Sequence, residues 1–256
     1  MKKVIRNPIE LTTNHTGKME GIKSLSTSVL LNPNCIKNQK KIGSICNHCY
    51  AKSLAKMYSA LNVKLENNTK ELTTRFLMRA DFEVLDKELK EEQIFRFEAF
   101  GDLNNELQLV NYVAICSAFP KIHFALYTKM YKLVMNYFSH HPIPNNLNLI
   151  FSSFCVNKPL KASALTKNIL GHHPGQVKIF TVYDGDFIKK HPELNINCGA
   201  RSCNKCRRCY ENTPDIYVNE ILKSDREGVE MLMKMRKPAV RKRALKNLES
   251  ILTKFE

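Results

Sequence analysis

The stretch IFRFEAFGDLNNELQLVNYVAICSAFPKIHFALYT, Ile94–Thr128, carries the fold. Its first part, Ile94–Phe100, alternates apolar and other residues with period two and stops at Gly101-Asp102, as a half-buried strand does. Asn105–Phe119 then reads as a helix closed by Pro120. Lys121–Thr128 reads as the next strand. A strand, a helix of more than ten residues and another strand form one crossover unit, and such a unit makes neighbouring strands parallel.

The same rhythm continues outward. Lys129–Ser139 is helical, Asn146–Phe154 a strand and Gln176–Asp184 the last clear strand. Upstream, Ser26–Leu31 (STSVLL) reads as a strand, followed by helical stretches over Cys46–Lys64 and Glu66–Glu91. In the first of these, Tyr50, Leu54, Met57 and Leu61 share a stripe. Five strands in this order predict an α/β fold with a parallel-strand β/α barrel, partial or full; an open doubly wound sheet is the competing architecture. In either, the carboxyl ends of the strands are where chemistry is expected. Glu98, Asp102, Tyr127, Lys129, Ser152, Ser153, Tyr183, Asp184 and Asp186 stand at those ends. Asp102, Asp184 and Asp186 are candidates for binding a cationic or hydroxylated substrate, or simply turn-forming and capping residues.

Seven of the nine cysteines fall into two groups, Cys35-x10-Cys46-x2-Cys49 and Cys198-x4-Cys203-x2-Cys206-x2-Cys209. Two-residue gaps let a bending backbone aim successive sulfurs at one centre, as an iron–sulfur cluster or a tetrahedral zinc requires. The double C-x2-C-x2-C run favours iron–sulfur clusters, of the 4Fe-4S type and one or two in number; zinc is the alternative. The simplest partition is three ligands and four, leaving one iron of the first cluster open. A second partition lends one late cysteine to the first site. His48 is a candidate further ligand, His123 a packed core residue and Cys116 a buried thiol; Cys155, after a strand end, is placed to approach a cluster or, more simply, to be another structural thiol. Arg201, Arg207 and Arg208 flank the late cysteines and are candidates for offsetting thiolate charge.

With 43% hydrophobic and 25% charged residues the chain is globular. No apolar run approaches the ~20 residues of a membrane span. The opening MKKVIRNPIELTTNH has no apolar core of a signal peptide, which predicts an intracellular protein with reduced thiols. The net charge of +16 makes nonspecific nucleic acid a candidate partner beside an unknown small-molecule or macromolecular substrate. Residues 1–217 are expected to form the barrel-like domain with both cysteine groups. Residues 218–256 are expected to form a basic helical extension divided by Pro238, with Arg241, Lys242, Arg243 and Lys246 crowding its second half.

Five segments in order, LSTSVLLNPNC, GSICNHCYA, FRFEAFGDL, FALYTK and CGARSCNKCRRCY, resemble the phage "gene product 88" family over roughly Leu25–Tyr210. The resemblance implies a radical-SAM-like β/α barrel with iron–sulfur clusters. Cys35, Cys46 and Cys49 match its first cluster motif, and Cys198, Cys203, Cys206 and Cys209 its second. Gly101 and Asp102 match its Gly-Asp element, and Tyr127, Thr128 and Lys129 its strand-end element; Gly101, Asp102, Tyr127 and Lys129 are accordingly the expected cofactor-binding residues. A viral family implies the host cytoplasm or the virion as location. The ten-residue first gap departs from the C-x3-C-x2-C loop of radical SAM enzymes and counts against S-adenosylmethionine as cofactor. The expected function is an iron–sulfur enzyme or redox protein with its substrate near the first cluster. The alternative is a structural-zinc protein that binds nucleic acid.

Overall fold

The computed structural model of the chain describes residues 8–15, 17–41, 43–160, 175–199 and 202–222. Seven strands form one sheet: β1 Thr12–Thr13, β2 Lys23–Leu25, β3 Ile94–Phe97, β4 His123–Thr128, β5 Leu147–Ser152, β6 Val177–Tyr183 and β7 Tyr217–Ile221. They lie side by side in chain order. β1 pairs with β2 antiparallel, and every later pair is parallel. A doubly wound sheet reverses its strand order at a switch point, and this one never does. Among the described residues β1 and β7 are the free edges, so closure into a barrel is not seen there.

Eight helices occur among the described residues: α1 Pro33–Gln39, α2 Tyr50–Met57, α3 Ser59–Thr74, α4 Arg79–Leu89, α5 Glu106–Ala118, α6 Tyr131–Phe138, α7 Gly185–Lys190 and α8 Cys203–Cys206. Helices α3 to α6 cover one face of the sheet. Leu72, Leu85, Leu109, Tyr112, Ile115 and Val134 from these helices join Phe95, Phe97, Phe124, Leu126, Leu149, Phe151 and Ile179 from the strands in one buried core. Phe97 stacks between Tyr112 and Phe124, with ring centroids at 4.2 and 5.2 Å. Each such fully buried side chain contributes about 1.5–3 kcal/mol, which makes this face the main source of stability. Along each strand the alternate residues face the other way. There Ile22, Ile94, Ala125 and Ile150 form a smaller cluster with Tyr210, Cys203 and Cys209.

The elements between 94 and 184 follow the sequence pattern. Asn105 caps α5 by accepting from the Gln108 N–H at 3.0 Å. Upstream the pattern misleads. Ser26–Leu31 is not a strand: β2 ends at Leu25, and side chains elsewhere in the fold satisfy the backbone that follows. The Ser26 carbonyl accepts from Asn68, the Thr27 N–H donates to Glu98 and the Ser28 N–H donates to Thr69. The helical stretch after Cys49 breaks at Tyr58, and α2 buries Ala51 and Ala55 rather than the Tyr50–Met57 stripe. Met57 is 67% exposed. His123 is exposed, not packed in the core, whereas Cys116 is buried as expected. β7 carries the sheet past residue 217; the rest of the expected basic extension lies outside the described residues.

Candidate metal centres at two ends of the sheet

All nine cysteines are free thiols. The first group is assembled at the carboxyl edge of the sheet by three caps. Asn32 caps α1, its Oδ1 accepting from the N–H groups of Asn34 (2.9 Å) and Cys35 (3.2 Å). Its Nδ2 donates to the carbonyls of Asp102 (2.9 Å) and Leu103 (3.2 Å), which moors Cys35 to the loop after β3. Ser44 opens a 3-10 turn, Ile45–His48, accepting from the Cys46 N–H and donating to the Phe154 carbonyl beyond β5. Cys49 is the N-cap residue of α2, and the Tyr50 hydroxyl donates to the Ala99 carbonyl beyond β3. Cys35 and Cys49 pack against Val29, Ala51, Ala55 and Leu65. Burial pushes the Cys35 and Cys46 thiols up, and neighbouring thiols add to the push.

The loop Glu98–Leu103 supports the group from below. Glu98 sits at φ 58°, a left-handed conformation that is strained for a glutamate. Its carboxylate is 2% exposed and accepts four hydrogen bonds, from the Thr27 N–H (3.2 Å) and Oγ1 (3.1 Å), Gln108 Nε2 (2.6 Å) and the Tyr112 hydroxyl (2.5 Å). Burial outweighs these donors and pushes its pKa up to about 7. Gly101 is required: a Cβ there would stand 2.4 Å from the Thr27 carbonyl oxygen and 2.7 Å from Glu98 Oε2. Both oxygens of Asp102 are engaged: Oδ1 accepts from Thr128 Oγ1 (2.5 Å) and the Leu103 N–H (2.8 Å), Oδ2 from the Lys129 N–H (3.0 Å). Asp102 is therefore a clasp between the ends of β3 and β4. It raises the Cys35 thiol, and Lys129 pulls the Cys46 thiol down.

The second group lies on the sheet face away from the core helices, with Cys209 beside the start of β5 and Cys198 beside the later half of β7. Asn148, near the start of β5, donates to the Cys209 carbonyl, and Asn204 beside Cys203 donates to the Glu20 carbonyl. Cys203 and Cys206 bracket the single turn of α8, which ends at Arg207 in a left-handed conformation, φ 51°. The Cys198 N–H donates to the Asn219 carbonyl of β7 at 2.9 Å. Burial raises the Cys198 thiol to about 12 and pushes up those of Cys203 and Cys209. Against that push stand three cations. Lys18 Nζ donates to the Cys198 carbonyl (2.8 Å), lies 3.6 Å from its Sγ and pairs with Glu220 at 2.6 Å. Arg96 lies with its guanidinium 3.8 Å over the Tyr127 ring and pulls both Cys203 and Cys209 down. Lys178, fully buried, lowers Cys209 as well.

The expected site residues thus separate. Gly101, Asp102 and Lys129 gather with Cys35, Cys46 and Cys49. Tyr127 belongs with the second group, because its side chain points from the opposite face of β4 and its hydroxyl donates to Cys209. Arg207 and Arg208 turn outward: Arg207 reaches Gln93 and Glu211, and Arg208 pairs with Asp215 at 3.0 Å. Asp184 caps α7 and accepts from Asn157, while Asp186 pairs with Lys189 at 3.2 Å. Cys155 forms a bridge with Ser44, beside the first group. The His48 side chain, Arg201 and the basic tail lie outside the described residues. Sequence reading missed Thr27, Gln108, Tyr112, Lys18, Arg96 and Lys178. Only Arg96 and Lys178 left a trace, each as the single cation in an apolar strand.

The donor set suits a thiophilic metal, with three thiols in one place and four in another. Among the described residues, however, no group of three or more His, Cys, Asp or Glu side chains is arranged to hold an ion. Ion binding requires the thiols to draw together. No helix among the described residues is long and apolar enough to cross a membrane.

The family model described as "Gene product 88" covers residues 7–213. No curated protein and no solved structure matches the chain.

Proposed function

The chain belongs to the gene product 88 family, and from that premise we propose that it is an iron–sulfur protein whose sheet is the wall of a partial β/α barrel and whose substrate site lies at the carboxyl edge, beside Cys35, Cys46 and Cys49. The observation that carries this reading is the gathering of those three cysteines with Asp102 and Lys129 at the strand ends, where parallel β/α folds keep their chemistry. A cluster held by three thiolates would offer one iron to a substrate and supply one-electron chemistry.

The chain's own residues have distinct tasks in this reading. Asp102 is a positioning residue: it fixes the backbone of Lys129 and ties the two strand ends together. Lys129 supplies the positive charge nearest Cys46, placed to meet an anionic substrate group. Glu98 holds the Gly101 loop and exchanges its proton near neutral pH. It faces Thr27, Gln108 and Tyr112, so it tunes the loop and does not touch the substrate. The second group serves as an electron relay or a structural centre.

The test is the iron, sulfide and zinc content of freshly isolated, anaerobically handled protein. Iron and sulfide in matching amounts support the reading. Stoichiometric zinc without sulfide sinks it and promotes a structural-zinc protein that binds nucleic acid. S-adenosylmethionine as cofactor is tested by adding it to the reduced protein. Methionine and 5′-deoxyadenosine support that chemistry; their absence, with the cluster's paramagnetic resonance unperturbed, removes it.

A further inference from the structure

The helices that follow β2 carry a charge pattern of their own. No acidic residue occurs between Glu20 and Glu66, a stretch that holds seven lysines. Lys23 pairs with Glu88 and Lys64 with Glu10. The other five, Lys37, Lys40, Lys41, Lys52 and Lys56, reach no acid among the described residues. The same stretch holds six of the ten large apolar residues that are exposed among the described residues. These are Leu31, Ile36, Tyr50, Met57, Tyr58 and Val63, each at least 39% exposed. A single exposed apolar residue is ordinary, but a concentration of them marks an interaction site. The inner sides of α1, α2 and α3 meet in one cluster, with Cys35 from α1, Ala51 and Ala55 from α2, and Leu61 and Leu65 from α3. Their outward residues therefore share one side of the protein. Along it the two kinds of residue are interleaved: Ile36 adjoins Lys37, Tyr50 stands two residues before Lys52, and Lys56 adjoins Met57 and Tyr58.

We propose that the outer side of α1, α2 and the start of α3 binds single-stranded nucleic acid, the five unpaired lysines meeting phosphates while Tyr50, Met57 and Tyr58 meet base faces. The interleaving selects this partner. A protein interface gathers its apolar residues at the centre, where lysine is depleted, and keeps its polar residues at the rim. A single strand instead alternates phosphate and base at every nucleotide, and proteins hold it with cations and stacking rings together. A duplex keeps its base faces inside the stack, so it can use the lysines but not the rings. The Tyr50 hydroxyl donates to the Ala99 carbonyl at 2.5 Å, which fixes one ring in place before any strand arrives. The net charge of +16 draws a polyanion to the protein from a distance. No thiol and no metal takes part, so this surface does not depend on the iron–sulfur reading.

The test titrates the full chain into fluorescein-labelled oligo(dT), oligo(rU) and a mixed-sequence duplex, each longer than the ~16 nucleotides that one binding surface covers. Anisotropy is read between about 50 and 200 mM salt. At least one single strand is expected to bind more tightly than the duplex by about fivefold or more, the least that one stacked base contributes. The stronger of the two arms names the sugar. Tyr58→Ala loses about fivefold or more on that strand and nothing on the duplex, and Tyr58→Phe keeps the ring and stays within about twofold of the parent. Changing Lys40, Lys41 and Lys56 together to glutamine flattens the slope of log affinity against log salt by about 2, at about 0.7 for each phosphate contact. Two controls bind like the parent: Phe76→Ala, an exposed ring beyond the far end of α3, and Lys121→Gln, an exposed charge before β4. All of the changed side chains are exposed, so the variants are expected to melt within about 2 °C of the parent. Equal affinity for duplex and single strand, parent-like strand binding by folded Tyr58→Ala, or an unchanged salt slope in the lysine variant overturns the proposal. So does a protein that binds no strand at low salt, and the surface would then fit an acidic protein instead. Zinc without sulfide in the native protein would sink the iron–sulfur reading and leave this one standing.

Discussion

Replacing Gly101 by alanine tests the support beneath the first cysteine group. The added Cβ would lie 2.4 Å from the Thr27 carbonyl oxygen, 2.7 Å from Thr27 Oγ1 and 2.7 Å from Glu98 Oε2. None of these can step aside cheaply. Thr27 is 0% exposed and its N–H and hydroxyl are both bound to Glu98, while Glu98 is held by Gln108 and Tyr112 in a strained conformation. Relief requires moving the backbone of one loop or the other, so the loss belongs at the top of the range for overpacking, about 3 kcal/mol. For a domain of this size that lowers Tm by roughly 6–12 °C. The same displacement shifts the Asp102 and Leu103 carbonyls that receive Asn32, and cobalt affinity at the first group falls with it. Differential scanning calorimetry and cobalt titration measure both effects. Gly199→Ala, whose Cβ would meet nothing within 4 Å, is the control and stays within about 0.5 kcal/mol. A Gly101→Ala protein that melts within about 2 °C of the parent would refute the argument.

Asn32→Ala removes a helix cap and two bonds to the Gly101 loop, and is expected to cost about 2 kcal/mol in urea unfolding; a change below about 0.5 kcal/mol would contradict that assignment. The raised Glu98 carboxyl leaves the native state holding a proton that the unfolded chain has released between pH 4.5 and about 7. Stability therefore falls as pH rises through that window, by about 1.4 kcal/mol per unit and about 3 kcal/mol in all. The difference between wild-type and Glu98→Gln unfolding curves across pH 4–8 measures it, and parallel curves would deny it. Cys46→Ser should abolish metal binding at the first group while leaving the second group's spectrum intact, and joint loss of both would mean shared ligands. Any affinity for duplex DNA should drop steeply between 50 and 200 mM salt, about 10³-fold or more if six or more phosphates are contacted; binding that survives the salt would be of another kind.

The parallel sheet was legible between Ile94 and Tyr183 because buried parallel strands keep apolar runs and helices such as α5 carry both a capping Asn and a closing Pro. Ser26–Leu31 has strand composition, yet its backbone partners are the side chains of Glu98, Asn68 and Thr69, each more than 40 residues away. Nothing local announces such partners. Cysteine spacing marked both groups, but not their surroundings. Tyr127 and Lys129 looked like one strand-end element, although Tyr127 projects from the face of the second group and the Lys129 backbone is held by Asp102 of the first. Arg96 and Lys178 illustrate the general difficulty: a period-two pattern places a charge on the alternate face of a strand without saying whether water or thiols lie there.

Lys18 has a consequence for the order of assembly. Its ammonium joins the Cys198 carbonyl and Glu220, partners 180 and 202 residues further along the chain. The second group also draws on Arg96 and Lys178, so its surroundings exist only once the chain has emerged nearly to β7. The first group needs nothing beyond Cys155 for its described bonds. On a ribosome adding about 5–20 residues per second, several seconds separate the two milestones. Pairings of such long range are also slow to close. The protein therefore matures from the Cys35 end, and Lys18, Arg96 and Lys178 wait through that interval for the late thiols.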